Sequence, residues 1–122
     1  DVNVTANYRL IRSLDPLLRR SEAGRAVFVT SGAAGAAAAY WGPYAVSKAA
    51  LEALVKTYAA EITKTAVKAN LLSPGPIRTL MRAAAFPGED PMSLRAPADI
   101  AGLFVDLASP ACTRNGAVVE AR

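Results

Sequence analysis

The sequence reads as an α/β chain, on three observations. Short runs of β-branched and aromatic residues, such as Val27-Phe28-Val29-Thr30, suit buried strands. Longer segments space their apolar residues at helical intervals, and the two kinds alternate along the chain. Proline and glycine mark the boundaries between them. At 122 residues the chain is one domain or part of one. Its 52% hydrophobic content is above the usual globular share and argues against disorder.

Asp1 to about Arg20 is predicted helical, because Leu10, Ile11, Leu14, Leu17 and Leu18 recur on one side. Pro16 should bend this helix or tighten its last turns. Asn3, near the start, suits a capping residue. A polar turn from Ser21 to Arg25 leads into the Val27–Thr30 strand, with Ser31 at its end. Ser31 alone would read as a strand-end serine bonding to backbone. A Gly/Ala run, Gly32 to Ala39, then reaches the aromatic pair Tyr40 and Trp41.

Gly42 and Pro43 open a second helix, predicted to run to about Lys64; proline at a first helical position is preset for helical φ. Leu51, Leu54, Val55, Tyr58 and Ile62 form its apolar stripe. Tyr44 and Lys48 stand four apart, on one face. Val67 to Leu72 reads as a second strand with Val67, Ala69 and Leu71 on one side. Ser73-Pro74-Gly75-Pro76-Ile77-Arg78-Thr79 ends it in a stiff turn. Leu80 to Ala96, with Met81, Phe86, Met92 and Leu94, reads equally as a lid over a substrate or as a connector packed on the core. Pro97 starts a last helix with Asp99 in its first turn and a stripe of Ile100, Leu103, Phe104 and Leu107. Gly116 to Val119 is a candidate final strand.

Bulk properties exclude several function classes. The net charge of +4 comes from scattered Lys and Arg, whereas a nucleic-acid footprint needs clustering. Histidine is absent, which rules out His-based triads and His metal sites, and no metal site is expected. The single cysteine, Cys112, excludes an internal disulfide and fits a reducing, cytoplasmic setting. No signal peptide is visible, and no apolar run reaches membrane-spanning length.

Ser31, thirteen residues on to Tyr44, and then Tyr-x-x-x-Lys to Lys48 resembles the short-chain dehydrogenase/reductase family. The flanking words VFVTSGAAG and YAVSKAAL are similar to the family's serine segment and its tyrosine-lysine helix. The resemblance implies a doubly wound, Rossmann-like parallel sheet, present here as its rear half, residues 1–122. The Gly-x-x-x-Gly-x-Gly turn of the family's cofactor-binding front half has no counterpart in this sequence. NLLSPGPIRT is similar to the family's Pro-Gly motif, so Pro74, Gly75, Ile77 and Thr79 are expected to hold the nicotinamide end of NAD or NADP, together with Tyr44 and Lys48. Val2-Asn3-Val4 is similar to the setting of a family asparagine that joins the active site. The tail departs from the family: Glu120-Ala121-Arg122 stands where an acidic residue and two glycines are common.

The chemistry implied is hydride transfer between a nicotinamide and a carbonyl or alcohol. Phenols ordinarily ionise near pH 10, and a nearby ammonium favours the phenolate. Tyr44 beside Lys48 is therefore expected to act as general acid/base. Ser31 would donate a hydrogen bond to the substrate oxygen, and Asn3 would hold a water behind Lys48. Tyr40 and Trp41 either face the substrate, favouring an apolar or aromatic one, or pack in the core. The resemblance also implies a homo-oligomer through the helices at 1–20 and 43–64, while alanines 45, 49, 50, 53, 59 and 60 suit equally close packing on a sheet. Two other readings stay open: a non-catalytic fragment that acts only with a partner or its missing half, and a Ser-Lys hydrolase built on Ser47 and Lys48, which leaves the Tyr44 spacing unexplained.

Overall fold

The computed structural model describes residues 4–30, 42–75, 87–88, 90, 92 and 96–121. Among these, helices and strands alternate as α1 (Thr5–Arg20), β1 (Arg25–Val29), α2 (Gly42–Glu61), β2 (Lys68–Ser73), α3 (Pro97–Ala108) and β3 (Val118–Glu120). The strands form one sheet in the order β1-β2-β3. Both pairings are parallel: Arg25 faces Lys68 and Val29 faces Leu72, while Leu71 faces Val118. Parallel neighbours need a crossover, which α2 and α3 supply. The α/β expectation is met.

Several boundaries moved, β2 among them, which spans Lys68–Ser73 instead of Val67–Leu72. β1 begins at Arg25, two residues before the expected Val27, because pairing with β2 starts at Lys68. α2 stops at Glu61 rather than Lys64. There Thr65 donates both its amide (2.9 Å) and its hydroxyl (2.7 Å) to the Ile62 carbonyl, and such local bonds compete with helix. β3 spans Val118–Glu120 instead of Gly116–Val119. Gly116 sits at φ +74°, in the left-handed region, so the chain is still turning there.

The core forms where α2 lies on the sheet. Leu51, Val55, Tyr58 and Ile62 pack with Val67, Ala69 and Leu71, and Ile11, Leu18, Ala26 and Phe28 close against them. The period-two alternation expected for Val67, Ala69 and Leu71 holds, and it turns Asn70 to the other face. Asn70 is fully buried and fully used. Its Nδ2 donates to the Arg114 carbonyl (2.9 Å), and its Oδ1 accepts from the Ala117 amide (3.0 Å). Asn115 reaches back, with Oδ1 accepting from the Ala69 amide (3.0 Å) and Nδ2 donating to the Ala59 carbonyl (2.9 Å).

Arg25, at the start of β1, donates to five backbone carbonyls. They belong to Gly24, Ala66, Ser109, Pro110 and Cys112, at 2.8–3.1 Å. One planar guanidinium thereby joins the start of β1, the approach to β2 and the end of α3. α1 is tied to α2 by the Tyr58 hydroxyl, which donates to Asp15 Oδ1 (2.6 Å); Arg19 Nε donates to both oxygens of the same carboxylate (2.9 Å). Asp99 behaves as expected in the first turn of α3, its Oδ2 accepting from the Ala96 amide (2.9 Å).

Candidate active site

In open α/β sheets the carboxyl ends of the strands face the ligand crevice. Here β1 ends at Val29 and β2 at Ser73, side by side in register. The first turns of α2 stand over the same end. Lys48 Nζ donates to the Val29 carbonyl (3.2 Å) and lies 5.7 Å from the centroid of the Tyr44 ring, within cation–π range. Tyr44 is 39% exposed, so its ring is accessible from solvent. Two of the four residues expected to be catalytic are thus brought together at the end of β1.

Beyond β2, Pro74 and Gly75 are the part of the expected Ser73–Thr79 turn that is described; residues 76–79 lie outside the described residues. Gly75 has φ +72°, a conformation that side chains disfavour, and the nearest atom to a Cβ placed there is the Ala121 carbonyl oxygen at 3.7 Å. The Ala121 amide donates to the Ser73 carbonyl (2.9 Å) and fixes the strand end from the β3 side. Asn3, Ser31, Tyr40, Trp41, Ile77 and Thr79 lie outside the described residues, as does most of the Leu80–Ala96 segment.

Sequence reasoning passed over one pair at this end. Thr30 is buried, and its hydroxyl donates to Glu52 Oε2 at 2.6 Å. Two signals pointed to it: a polar residue closing an apolar strand, and a carboxylate four residues after Lys48 on the same helix face. Ser47 donates its hydroxyl to the Tyr44 carbonyl (2.8 Å), an ordinary helix-backbone bond.

A groove of about 630 Å³ runs between α1 and β1, with Leu10, Leu14, Val27 and Val29 in its lining and Lys48 at one end. β1 is the last strand on that side among the described residues, so this hollow follows a sheet edge. Its lining is mainly apolar, with Asn7, Arg25, Lys48 and Tyr58 as the polar members. Among the described residues, no three Asp, Glu, Cys or His gather to hold a metal. No described helix is long and apolar enough to cross a membrane.

A parallel sheet with the Tyr44–Lys48 turn of α2 over its strand ends is a Rossmann-like α/β arrangement. Residues 1–114 match the family model described as enoyl-(acyl carrier protein) reductase. The chain belongs to the short-chain dehydrogenase/reductase family. It is 44% identical over 104 residues to the uncharacterized oxidoreductase YciK of Escherichia coli K12, covering 85% of this chain and 41% of that one. A short chain dehydrogenase from Salmonella enterica serovar Typhi superposes with TM-score 0.94 at 40% identity, covering 99% of this chain and 50% of that one. A short chain dehydrogenase from Escherichia coli CFT073, solved in complex with NADPH, gives TM-score 0.92 at 40% identity with the same coverage. The chain therefore spans about half the length of these relatives.

Proposed function

We propose that this chain is the active-site half of an NAD(P)-dependent oxidoreductase acting on a carbonyl or alcohol. The observation that carries the reading is the Lys48 ammonium, bonded to the end of β1 and set against the Tyr44 ring. A nicotinamide cofactor, as in the NADPH-bound relative, supplies or accepts the hydride. Tyr44 gives the proton to the carbonyl oxygen, or takes it from the alcohol, and Lys48 holds the electrostatic environment of that phenol. Ser31, next in the chain after Thr30, donates a hydrogen bond to the substrate oxygen. Asn3 holds a water behind Lys48, and Tyr40 and Trp41 favour an apolar or aromatic substrate.

The residues fit the cofactor on an observation independent of its presence in the relatives. Gly75 has a left-handed φ of +72° beyond β2, and among the described residues the nearest atom to a Cβ placed there is the Ala121 carbonyl oxygen at 3.7 Å. Pro74, Gly75, Ile77 and Thr79 hold the nicotinamide end there, with Tyr44 and Lys48. The remaining half of the domain, which the relatives possess, supplies the phosphate and adenosine contacts. Tight NADPH binding by residues 1–122 alone would contradict that division.

The test is Tyr44→Phe in the full-length protein, assayed with NADPH and benzaldehyde. Loss of a general acid lowers kcat by roughly 10²- to 10⁴-fold, while the melting temperature stays at the wild-type value. Reduction at close to the original rate overturns the reading. The same family logic assigns a homo-oligomer contact to α1 and α2. Tyr8, Leu10, Leu14 and Leu17 of α1 are all exposed in this chain, which supports it. Equilibrium sedimentation of the full-length protein is expected to give a dimer or larger; a monomer rules the contact out.

A further inference from the structure

Three bonds converge on the last peptide of β1. The Thr30 amide donates to the Leu72 carbonyl (2.9 Å), continuing the ladder toward β2. The peptide is trans, so its carbonyl, that of Val29, points the opposite way, toward the side of β1 away from β2. Lys48 Nζ donates to that carbonyl (3.2 Å). The orientation of one peptide plane therefore sets whether this carbonyl faces Lys48. Thr30 then anchors the plane through its side chain, the hydroxyl donating to Glu52 Oε2 at 2.6 Å. That distance is in the range of hydroxyl-to-carboxylate bonds, which are stronger than neutral ones.

The helix makes the arrangement a unit. Tyr44, Lys48 and Glu52 are spaced four apart on α2, so successive turns present phenol, ammonium and carboxylate to the same strand end. Lys48 and Glu52 grip adjacent residues, Val29 and Thr30, one by donating and one by accepting. Thr30 is only 2% exposed, so losing Glu52 leaves its hydroxyl poorly hydrated.

We infer that Thr30 and Glu52 are positioning residues: their bond fixes the Val29–Thr30 peptide so that its carbonyl holds Lys48 beside Tyr44. The inference rests on the oxidoreductase reading above, in which Lys48 serves Tyr44. Neither residue needs to touch substrate or cofactor. Misplacing a catalytic group by an ångström can cost roughly 10²-fold in rate, so the main effect belongs in kcat, with a smaller one on NADPH binding because Lys48 also holds the nicotinamide end.

The experiment uses the full-length protein with NADPH and benzaldehyde, and follows amide hydrogen exchange at position 30. Thr30→Val keeps the shape and removes the hydroxyl. It is expected to lower kcat by about 10-fold or more with the benzaldehyde KM within about 3-fold, the pattern of a lost transition-state interaction, to raise the NADPH KM because Lys48 also holds the nicotinamide end, and to speed exchange at position 30. Thr30→Ser, which restores the donor, is expected to recover most of the rate. Glu52→Ala should match Thr30→Val, and the double variant should be no slower than either, because both remove one bond. Arg25→Met, at the far end of β1, controls for stability: it lowers the melting temperature and leaves kcat alone. Equal kcat in Thr30→Val and wild type overturns the inference, as does a kcat loss that Thr30→Ser fails to rescue. Turnover that survives Tyr44→Phe overturns the oxidoreductase reading and this inference with it. Turnover abolished in Tyr44→Phe but kept in Thr30→Val overturns the inference alone.

Discussion

The two ends of the parallel sheet are built on opposite terms. At the amino ends, polar groups are spent on backbone: Arg25 donates to five carbonyls, and Asn70 and Asn115 bind amides and carbonyls of the segments around them. At the carboxyl ends, polar side chains meet one another or reach single backbone atoms, as in Lys48 with Val29 and Thr30 with Glu52. The first end closes the fold. The second keeps a phenol accessible beside an ammonium, which is what a proton-transfer site requires. The same residue classes therefore do different work according to which end of a strand they occupy.

The sharpest way to break this contrast is to damage each end separately. Tyr44→Phe should remove turnover by the two to four orders of magnitude given above and leave stability alone. Arg25→Met should do the reverse. Its guanidinium bonds are partly exposed, so the freed carbonyls of Ser109, Pro110 and Cys112 are partly rehydrated, and the expected loss is about 2–4 kcal/mol of folding stability with kcat unchanged. Urea unfolding of the full-length protein measures the second effect. If Arg25→Met lowers kcat as far as Tyr44→Phe does, the two ends are not independent and the division fails.

How much of this was legible beforehand follows from the range of each interaction. Alternating strand and helix patterns, the one-sided set Val67, Ala69 and Leu71, and the Pro97 helix start are local, and all were readable. Tyr44 and Lys48 were readable because one helix turn fixes their separation. The Thr30–Glu52 bond spans 22 residues, the bonds of Arg25 reach up to 87 residues along the chain, and Tyr58 meets Asp15 from 43 residues away. No periodicity encodes such pairs; they exist only once the crossovers have brought the elements together. Arg25 in particular read as part of a polar turn, because nothing in its neighbours announces five distant carbonyls. The misplaced start of β3 has the same origin, since Gly116 looked like strand and its left-handed φ is set by the loop around Asn70.

The smallest expected effect concerns how firmly α2, which carries Tyr44, is tied to α1. The Tyr58 hydroxyl bond holds the Asp15 carboxyl below the ordinary carboxylate value of 3.8, against the opposing effect of burial, and the hydrogen bond and charge of Arg19 add to the lowering. Burial first, then the bond to Asp15 and its charge, push the Tyr58 phenol well above the ordinary phenol value of 10.0. The two signs differ. A depressed carboxyl stabilises the fold above about pH 4, its unfolded value, and that contribution is lost as pH falls through the lower folded value. A raised phenol contributes fully below about pH 10 and is lost as pH rises through the higher folded value. Tyr58→Phe keeps the ring in the core and removes the hydroxyl. Its melting temperature at neutral pH should drop by a few degrees. Its acid-side decline should be shallower than wild type, because Asp15 has lost the partner that depresses it most. Its alkaline decline should lose the Tyr58 contribution altogether. Asp15→Asn should flatten the acid side further still. Thermal melts across the pH range decide the matter. Wild-type and Tyr58→Phe curves that superimpose across the whole pH range would mean that the hydroxyl bond between the helices carries no stability, and that α2 is held by its other contacts.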